Sequence, residues 1–382
     1  MPDLVIKPTA GSGNKLILQD QGGGTGAIIE NATITVPVLK LTPGSAPGSP
    51  AEGQMYYNST TKRSYIYNGS NWQSMADFSR ATGGIISSYT DGGSTYVVHK
   101  FLASGLFTPL SAFSIDYLLV AGGGAGGQNY GGGGGAGGFL TSSSAVAVTA
   151  QVYTITVGTG GAANTGGNAS SIVPVSGTTY TANGGGRGGK YLSAGNLQAA
   201  GGGGSGGGAG SASGGPWVGG SGTAGQGNDG GTYSGGNNGY QAPGGGGAGA
   251  VGENQSGAGG NGGKGGVGKS TLMGLSADAS YKLLSSIDAG HAINDARYFA
   301  GGGGGSGYVG GGETGFQGIG GYGGGGLGGA QINPPYLMAE PGLPNTGGGG
   351  GGCGASTVAS GDGYESNNER GGSGIVIIRY AI

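Results

Sequence analysis

Cysteine, histidine and charge are nearly missing from this sequence. Its one cysteine, Cys353, leaves no intrachain disulfide to form. Two histidines, His99 and His291, cannot build a histidine-rich metal site, so neither metal nor cofactor is expected. His99 falls in a strand pattern and reads as half-buried; His291 has no fixed partner in view. Charged residues make up 8% of the chain and the formal net charge is −2, which leaves no basic footprint for nucleic acid. Long hydrophobic runs are absent too. Tyr117–Ala121 and Ile375–Ile378 are far too short to span a bilayer, so no membrane insertion is expected. The opening Met-Pro-Asp-Leu-Val-Ile-Lys lacks the apolar stretch of a secretory leader, which predicts assembly in the cytoplasm. Proline, at 14 residues, is too scarce for collagen, and runs such as Gly131–Gly135 and Gly347–Gly352 break the Gly-X-Y period.

What the chain has is glycine, 107 of 382 residues. Residues 1–110 hold 15 of them, so the remaining 92 fall within 111–382, and the chain divides near residue 110. Before that point, alternating residues predict short strands. Leu4 and Ile6, Leu16 and Leu18, and Ile34, Val36 and Val38 mark a β segment over 1–42. Pro43–Pro50 reads as a linker. Residues 51–80 hold a small meander built from Gly53–Asn58, Ser64–Tyr67 and Asn71-Trp72, with Asn68-Gly69 as a two-residue hairpin. Tyr65 and Tyr67 share one face and Ile66 the other. So small a sheet needs partners, and trimerisation would supply them.

Further strands are expected at Gly84–Tyr89, Thr95–Leu102, Ile115–Val120, Val152–Val157, Ser170–Val175 and Gly374–Tyr380. They bracket the glycine-rich part of a domain over 84–382. Leu283, Leu284 and Ile287 make Ser276–Ala289 the one credible helix. The fold class is therefore mainly β with irregular structure and little α-helix.

Gly/Ser segments usually behave as coils. Here the runs extend over some 250 residues and alternate with Tyr, Val and Leu, and a closing strand requires a folded partner. The expectation is a bundle of polyproline-II-type glycine helices, with three residues per turn and sideways-pointing N–H and C=O groups that neighbouring helices satisfy. An alanine or serine within a run is expected at the bundle surface.

Three motifs suggest chemistry. Lys264-Gly-Gly-Val-Gly-Lys-Ser-Thr271 matches a phosphate-binding loop, and Gly263–Ser270 has the GxxxxGKS spacing. Such a loop must follow a buried strand and open a helix. Here Glu253–Gly260 is no strand, Gly274 intervenes before the helix, and no magnesium-binding Asp follows, so the match reads as coincidence. Gly225–Gly230 resembles a single calcium-binding repeat without its tandem neighbours. Arg187, within Gly184–Gly189, is one isolated RGG with only Lys190 beside it. Cys353 has no base near it in sequence, so no nucleophile is expected and the chain reads as non-enzymatic.

Tyr and Trp among Gly, Asn and Ser are the composition of loop-built binding surfaces. Trp217, Tyr233 and Tyr240 read as loop residues. With Tyr130, Tyr308, Phe316 and Tyr336 they form the candidate recognition set.

Thr95–Thr108 followed by Asp116-Tyr-Leu-Leu-Val-Ala-Gly-Gly-Gly-Ala-Gly-Gly127, with Tyr153–Gly161 and Gly371–Tyr380, resembles the glycine-rich domain of phage tail fibres. Met55–Gly69 with Trp72 is similar to a module common in phage fibre and tail proteins. Leu4–Asp20 is similar to the start of structural proteins from phages of marine bacteria. The resemblance implies a tail-fibre protein of the virion. Its N-terminal part would bind a tail or fibre adaptor. Loops at the tip of its glycine sandwich would bind a host surface receptor, either an outer-membrane protein or a glycan. A capsid-decorating or head-fibre protein is the alternative.

Overall fold

The computed structural model describes residues 41, 43–60, 63–74, 80–193, 196–212, 214–235, 240–256, 260–308, 316–331, 337–354 and 369–382. The β segment expected over 1–42 lies almost wholly outside them. The chain forms two compact units, Met1–Ala76 and Asp77–Ile382.

The first unit is a four-stranded sheet of β1 (Pro43–Gly44), β2 (Met55–Asn58), β3 (Arg63–Tyr67) and β4 (Trp72–Ser74), in that order. The expected linker is therefore partly strand. Pro43-Gly44 pairs parallel with Tyr57-Asn58 at the sheet edge, where proline's missing N–H costs no ladder bond. The expected two-residue hairpin is a four-residue loop, since Tyr67 pairs with Trp72. Asn68 causes the difference: its Oδ1 accepts from both Ser70 N (3.0 Å) and Asn71 N (2.7 Å), an Asx turn that claims two further residues. One face is aromatic. Tyr56 stacks on Tyr65 at 5.1 Å, and Trp72 meets Tyr56 edge-on at 4.6 Å.

The second unit begins with a β-sandwich. Its strands are β5 (Ala81–Thr82), β6 (Ile85–Asp91), β7 (Ser94–Phe101), β8 (Gly105–Pro109), β9 (Phe113–Val120), β10 (Phe139–Thr141), β11 (Val146–Val148), β12 (Tyr153–Thr156), β13 (Ser170–Pro174) and β14 (Tyr180–Ala182). Later come β15 (Lys190–Ser193), β16 (Asn196–Gln198), helix α1 (Ala277–Ser286), β17 (His291–Ile293), β18 (Ala296–Tyr298), β19 (Gly307–Tyr308), β20 (Ala330–Gln331) and the closing β21 (Ile375–Ala381). One sheet runs β10-β9-β21-β7-β6, with β11 also on β9; the other runs β14-β13-β12-β8-β5. β5 lies ahead of the boundary expected at residue 84.

β9 and β21 are buried on both faces, which explains their unbroken apolar sequences. Leu119, Val376, Ile378 and Tyr380 join Phe107, Ile155 and Ile172 between the sheets. Leu118, Val120, Ile375 and Ile377 face the other way, onto Leu283, Leu284 and Ile287 of the α1 segment and Phe299. Ser276 caps α1 by accepting from Ala279 N. His99, expected half-buried, is fully buried: Nδ1 donates to Gly83 O at 2.6 Å, leaving Nε2 to accept from the Tyr380 hydroxyl at 3.1 Å. His291 does have partners, since its Nδ1 accepts from Gly323 N and Gly324 N.

From this sandwich the glycine runs extend as a lattice. The run 121–127 donates its N–H groups in rotation. Ala121, Gly124 and Gly127 donate to Gly138, Gly135 and Gly132; Gly122 and Ala125 to Asn168 and Thr165; Gly123 and Gly126 to Gly372 and Glu369. Every third residue turns to the same neighbour, which is the period of polyproline II. The run 131–138 is the centre. It donates to 347–353, 183–189 and 243–246 and accepts from 121–127, 303–306 and 205–208, so six neighbours surround it at 2.8–3.1 Å N···O. Glycine is required by this spacing: a Cβ at Gly134 would lie 2.2 Å from Gly124 O. The surface position expected for alanine and serine is corrected, since Ala125, Ser205 and Ser306 are buried within their runs. Ala136, Ala248 and Ala300 are buried where the lattice meets the core beneath α1, the place with room for a methyl group.

Candidate functional site

Hydrogen-bond register gives the lattice two ends. Ala121, Gly138, Asn183 and Gly374 adjoin the sandwich strands, whereas Gly127, Gly131, Gly189, Ala242, Ser306 and Cys353 lie at the far end. There the turn Gln128-Asn129-Tyr130 joins the first run to the central one. Asn129 and Tyr130 both adopt left-handed backbone, at φ 51° and 55°. That conformation is uncommon for a bulky residue and persists only when the surroundings fix it.

The fixing contacts are specific. Gln128 is buried; its Oε1 accepts from Lys190 Nζ (2.6 Å) and Asn164 Nδ2 (3.0 Å), and its Nε2 donates to Glu369 Oε1 (2.9 Å). Cys353 Sγ lies 3.8 Å from the other oxygen of Glu369. Asn129 and Tyr191 exchange bonds: Tyr191 N donates to Asn129 O, and Asn129 Nδ2 to Tyr191 O.

This turn holds Tyr130 at the centre of four tyrosines. Its ring stacks on Tyr240 at 4.5 Å and meets Tyr308 and Tyr191 edge-on at 5.2 and 5.8 Å. Tyr240 also meets Tyr308 at 5.4 Å. Each tyrosine belongs to a different run end: after 121–127, after 183–189, before 242–249 and after 301–306. Burial first, and then the neighbouring tyrosine hydroxyls, push the Tyr130 hydroxyl up to about 12. It therefore stays protonated at neutral pH. Beside Tyr130 and Tyr240, Ser211 Oγ, Gln241 Oε1 and Ser306 Oγ are buried without a hydrogen-bond partner among the described residues.

Of the expected recognition residues, Tyr130, Tyr240 and Tyr308 are thus brought together. Tyr233 is not a loop residue open to a partner. It is fully buried, and its backbone exchanges hydrogen bonds with Trp217 at 2.7 and 2.8 Å. Trp217 is half-buried, and its Nε1 finds no acceptor among the described residues. Phe316 is exposed but stands on a side run. Tyr336 lies outside the described residues. Tyr191 was not among the expected residues, although it stands two residues past the run 183–189 as Tyr308 stands two past 301–306.

Most backbone donors of the phosphate-loop match are already engaged. Gly265, Gly266, Gly268 and Lys269 donate their N–H groups to Ile319, Gly245, Tyr322 and Phe299 at 2.7–3.0 Å. Residues 262–268 form a lattice run, and α1 starts only at Ala277. In the single calcium-like repeat, Asp229 Oδ1 accepts from Gly222 N. Arg187 is a lattice member whose carbonyl accepts from Gly201 N. Among the described residues, no three His, Cys, Asp or Glu side chains group as a metal would require. No helix among them is long and apolar enough to cross a membrane.

A sandwich that launches a lattice of glycine helices defines the class of this fold. The chain belongs to the glycine-rich domain family, whose match covers residues 102–381. No curated protein and no solved structure matches it.

Proposed function

We propose that this chain is a non-enzymatic fibre adhesin of a bacteriophage, attached to the virion by its N-terminal part and recognising a host surface receptor with the far end of its lattice. The observation that carries the reading is the cluster of Tyr130, Tyr191, Tyr240 and Tyr308, assembled from four separate runs at the end away from the sandwich. A lattice of backbone has no side chains with which to discriminate, so recognition falls to its edges. Rigid scaffolds that present variable segments are the usual setting for binding residues. Tyrosine supplies large contact area at small entropic cost.

The test is adsorption of otherwise intact particles carrying Tyr191→Ala, Tyr240→Ala and Tyr308→Ala, singly and together. Anchoring aromatics contribute about 2 kcal/mol or more each, so each single variant should slow adsorption by at least about 10-fold. A triple variant that is folded, assembled and adsorbs at the wild-type rate would refute this site.

A further inference from the structure

The lattice has an apolar side as well as an end. In the outer run 316–322, burial follows the three-residue period: Phe316, Ile319 and Tyr322 are 61%, 55% and 48% exposed, and Gly318 and Gly321 are buried. On one flank lies the run 262–268, where Gly262, Gly265 and Gly268 donate to the carbonyls of Phe316, Ile319 and Tyr322. Its outward positions are Asn261, Lys264 and Val267. On the other flank lies 324–329, then 337–343, whose exposed every-third positions are Leu337, Glu340 and Leu343. Gln317 Nε2 spans the flank by donating to Met338 O.

We infer that this side is a parallel, two-fold interface with a second copy of the chain. Two features select that occupant. The first is area. Half-exposed side chains of this size offer on the order of 100 Å² each. Phe316, Ile319, Tyr322, Val267, Leu337 and Leu343 therefore present an apolar patch on the order of 600 Å², which approaches the roughly 800 Å² that each partner gives to a standard interface. The second is charge. Gly265 bonds Ile319, Gly328 bonds Gly318 and Glu340 bonds Leu327, so Lys264, Ile319, Leu327 and Glu340 stand at one height along the runs. Lys264 and Glu340 are exposed on opposite flanks, and neither has an ion partner among the described residues. A two-fold axis parallel to the runs and between 316–322 and 324–329 exchanges the flanks. Each Lys264 then meets the Glu340 of the other copy, and Ile319 meets Leu327. An isologous contact requires this kind of self-complementarity. The axis keeps both far ends pointing the same way, so the interface leaves the tyrosine cluster free and does not depend on the receptor reading.

The test mixes unlabelled and heavy-nitrogen-labelled full chain, applies a zero-length carbodiimide cross-linker and looks by mass spectrometry for a mixed-isotope link between Lys264 and Glu340. Sedimentation of the same samples reports mass. The link is expected in wild type. Ile319→Arg should abolish it and weaken association by about 100-fold or more, since it buries an unpaired charge. Lys264→Glu and Glu340→Lys should each weaken association, and the double exchange should restore it. Position 319 is exposed, so the Ile319→Arg chain should still melt cooperatively as a folded monomer, at a temperature that no longer depends on protein concentration. No mixed-isotope link in wild type, undiminished association of Ile319→Arg, or failure of the double exchange to restore it would each overturn the interface.

Discussion

Replacing Gly134 with alanine separates a lattice from a coil by the sign of its effect. In a flexible chain the substitution restricts the unfolded state and stabilises by about 0.4–1 kcal/mol where the native backbone tolerates it. In the lattice the new Cβ would stand 2.2 Å from Gly124 O and 2.8 Å from Ala125 C, and both atoms belong to backbone that cannot rotate away. Ordinary contact requires the run 121–127 to retreat by about 1 Å. That retreat breaks or stretches Gly124 N→Gly135 O (2.8 Å) and Gly127 N→Gly132 O (2.8 Å), and strains Gly134 N→Gly350 O (2.8 Å). Each buried bond lost leaves an unsatisfied donor or acceptor at about 1–3 kcal/mol, so two lost bonds predict about 3–5 kcal/mol of destabilisation. For a large unit, 1 kcal/mol moves Tm by about 2 °C, which predicts a fall of roughly 6–10 °C by calorimetry. Gly105→Ala is the control. Its Cβ would find nothing closer than 3.8 Å, and its Tm should move by less than about 2 °C. An unchanged or raised Tm for Gly134→Ala would refute close packing of this run.

Three further outcomes follow from buried groups. Arg379 is 4% exposed and holds Asp116 Oδ2 through Nη2 (2.6 Å) and Nε (3.2 Å), so Asp116→Ala strands a buried guanidinium and should cost about 3–5 kcal/mol in urea unfolding, with Asp116→Ala/Arg379→Leu recovering much of it. Burial lowers the pKa of both His99 and His291. The unfolded rings take up a proton first, at about pH 6.5, so stability is complete above that pH and declines as pH falls toward the lowered folded values; a urea midpoint that rises on acidification from pH 6.5 to 5 would contradict this. Lys269→Ala should leave adsorption unchanged, and calorimetry should detect no magnesium-ATP binding by the wild type, because the N–H groups of Gly265, Gly266, Gly268 and Lys269 are already engaged.

The strands were legible because their side chains carry a period. Ile115–Val120 and Gly374–Tyr380 read as strands, though their burial on both faces emerged only from the structure, and the α1 segment announced itself through Leu283, Leu284 and Ile287. The errors came from side chains acting on backbone. Asn68 lengthened a hairpin by accepting two N–H groups, and Pro43-Gly44 joined a sheet edge that composition marks as linker. The order of the glycine runs was also legible, but their neighbours were not. A glycine carries no side chain to favour one partner, so nothing in Gly131–Gly135 says that 347–353 lies on one side and 183–189 on another. That choice is made by the segments between runs and by where the strands release and recapture the chain.

The same reasoning shows where a signal for the site was present and unused. Every glycine of the central run 131–138 faces a neighbour at a separation that excludes a Cβ. A side chain in such a protein is therefore confined to run ends, to the boundary with the sandwich, or to the outward third of an outer run. Phe316, Ile319 and Tyr322 obey the last rule, three apart, as do Leu337, Glu340 and Leu343. Tyr130, Tyr191, Tyr240 and Tyr308 obey the first. Counting from each glycine run to its first aromatic at the far end would have found Tyr191. It would also have set apart Tyr233, whose backbone pairs with Trp217 alongside the lattice. The burial of Tyr233 is a consequence of that pairing, which depends on long-range register that no local pattern reports.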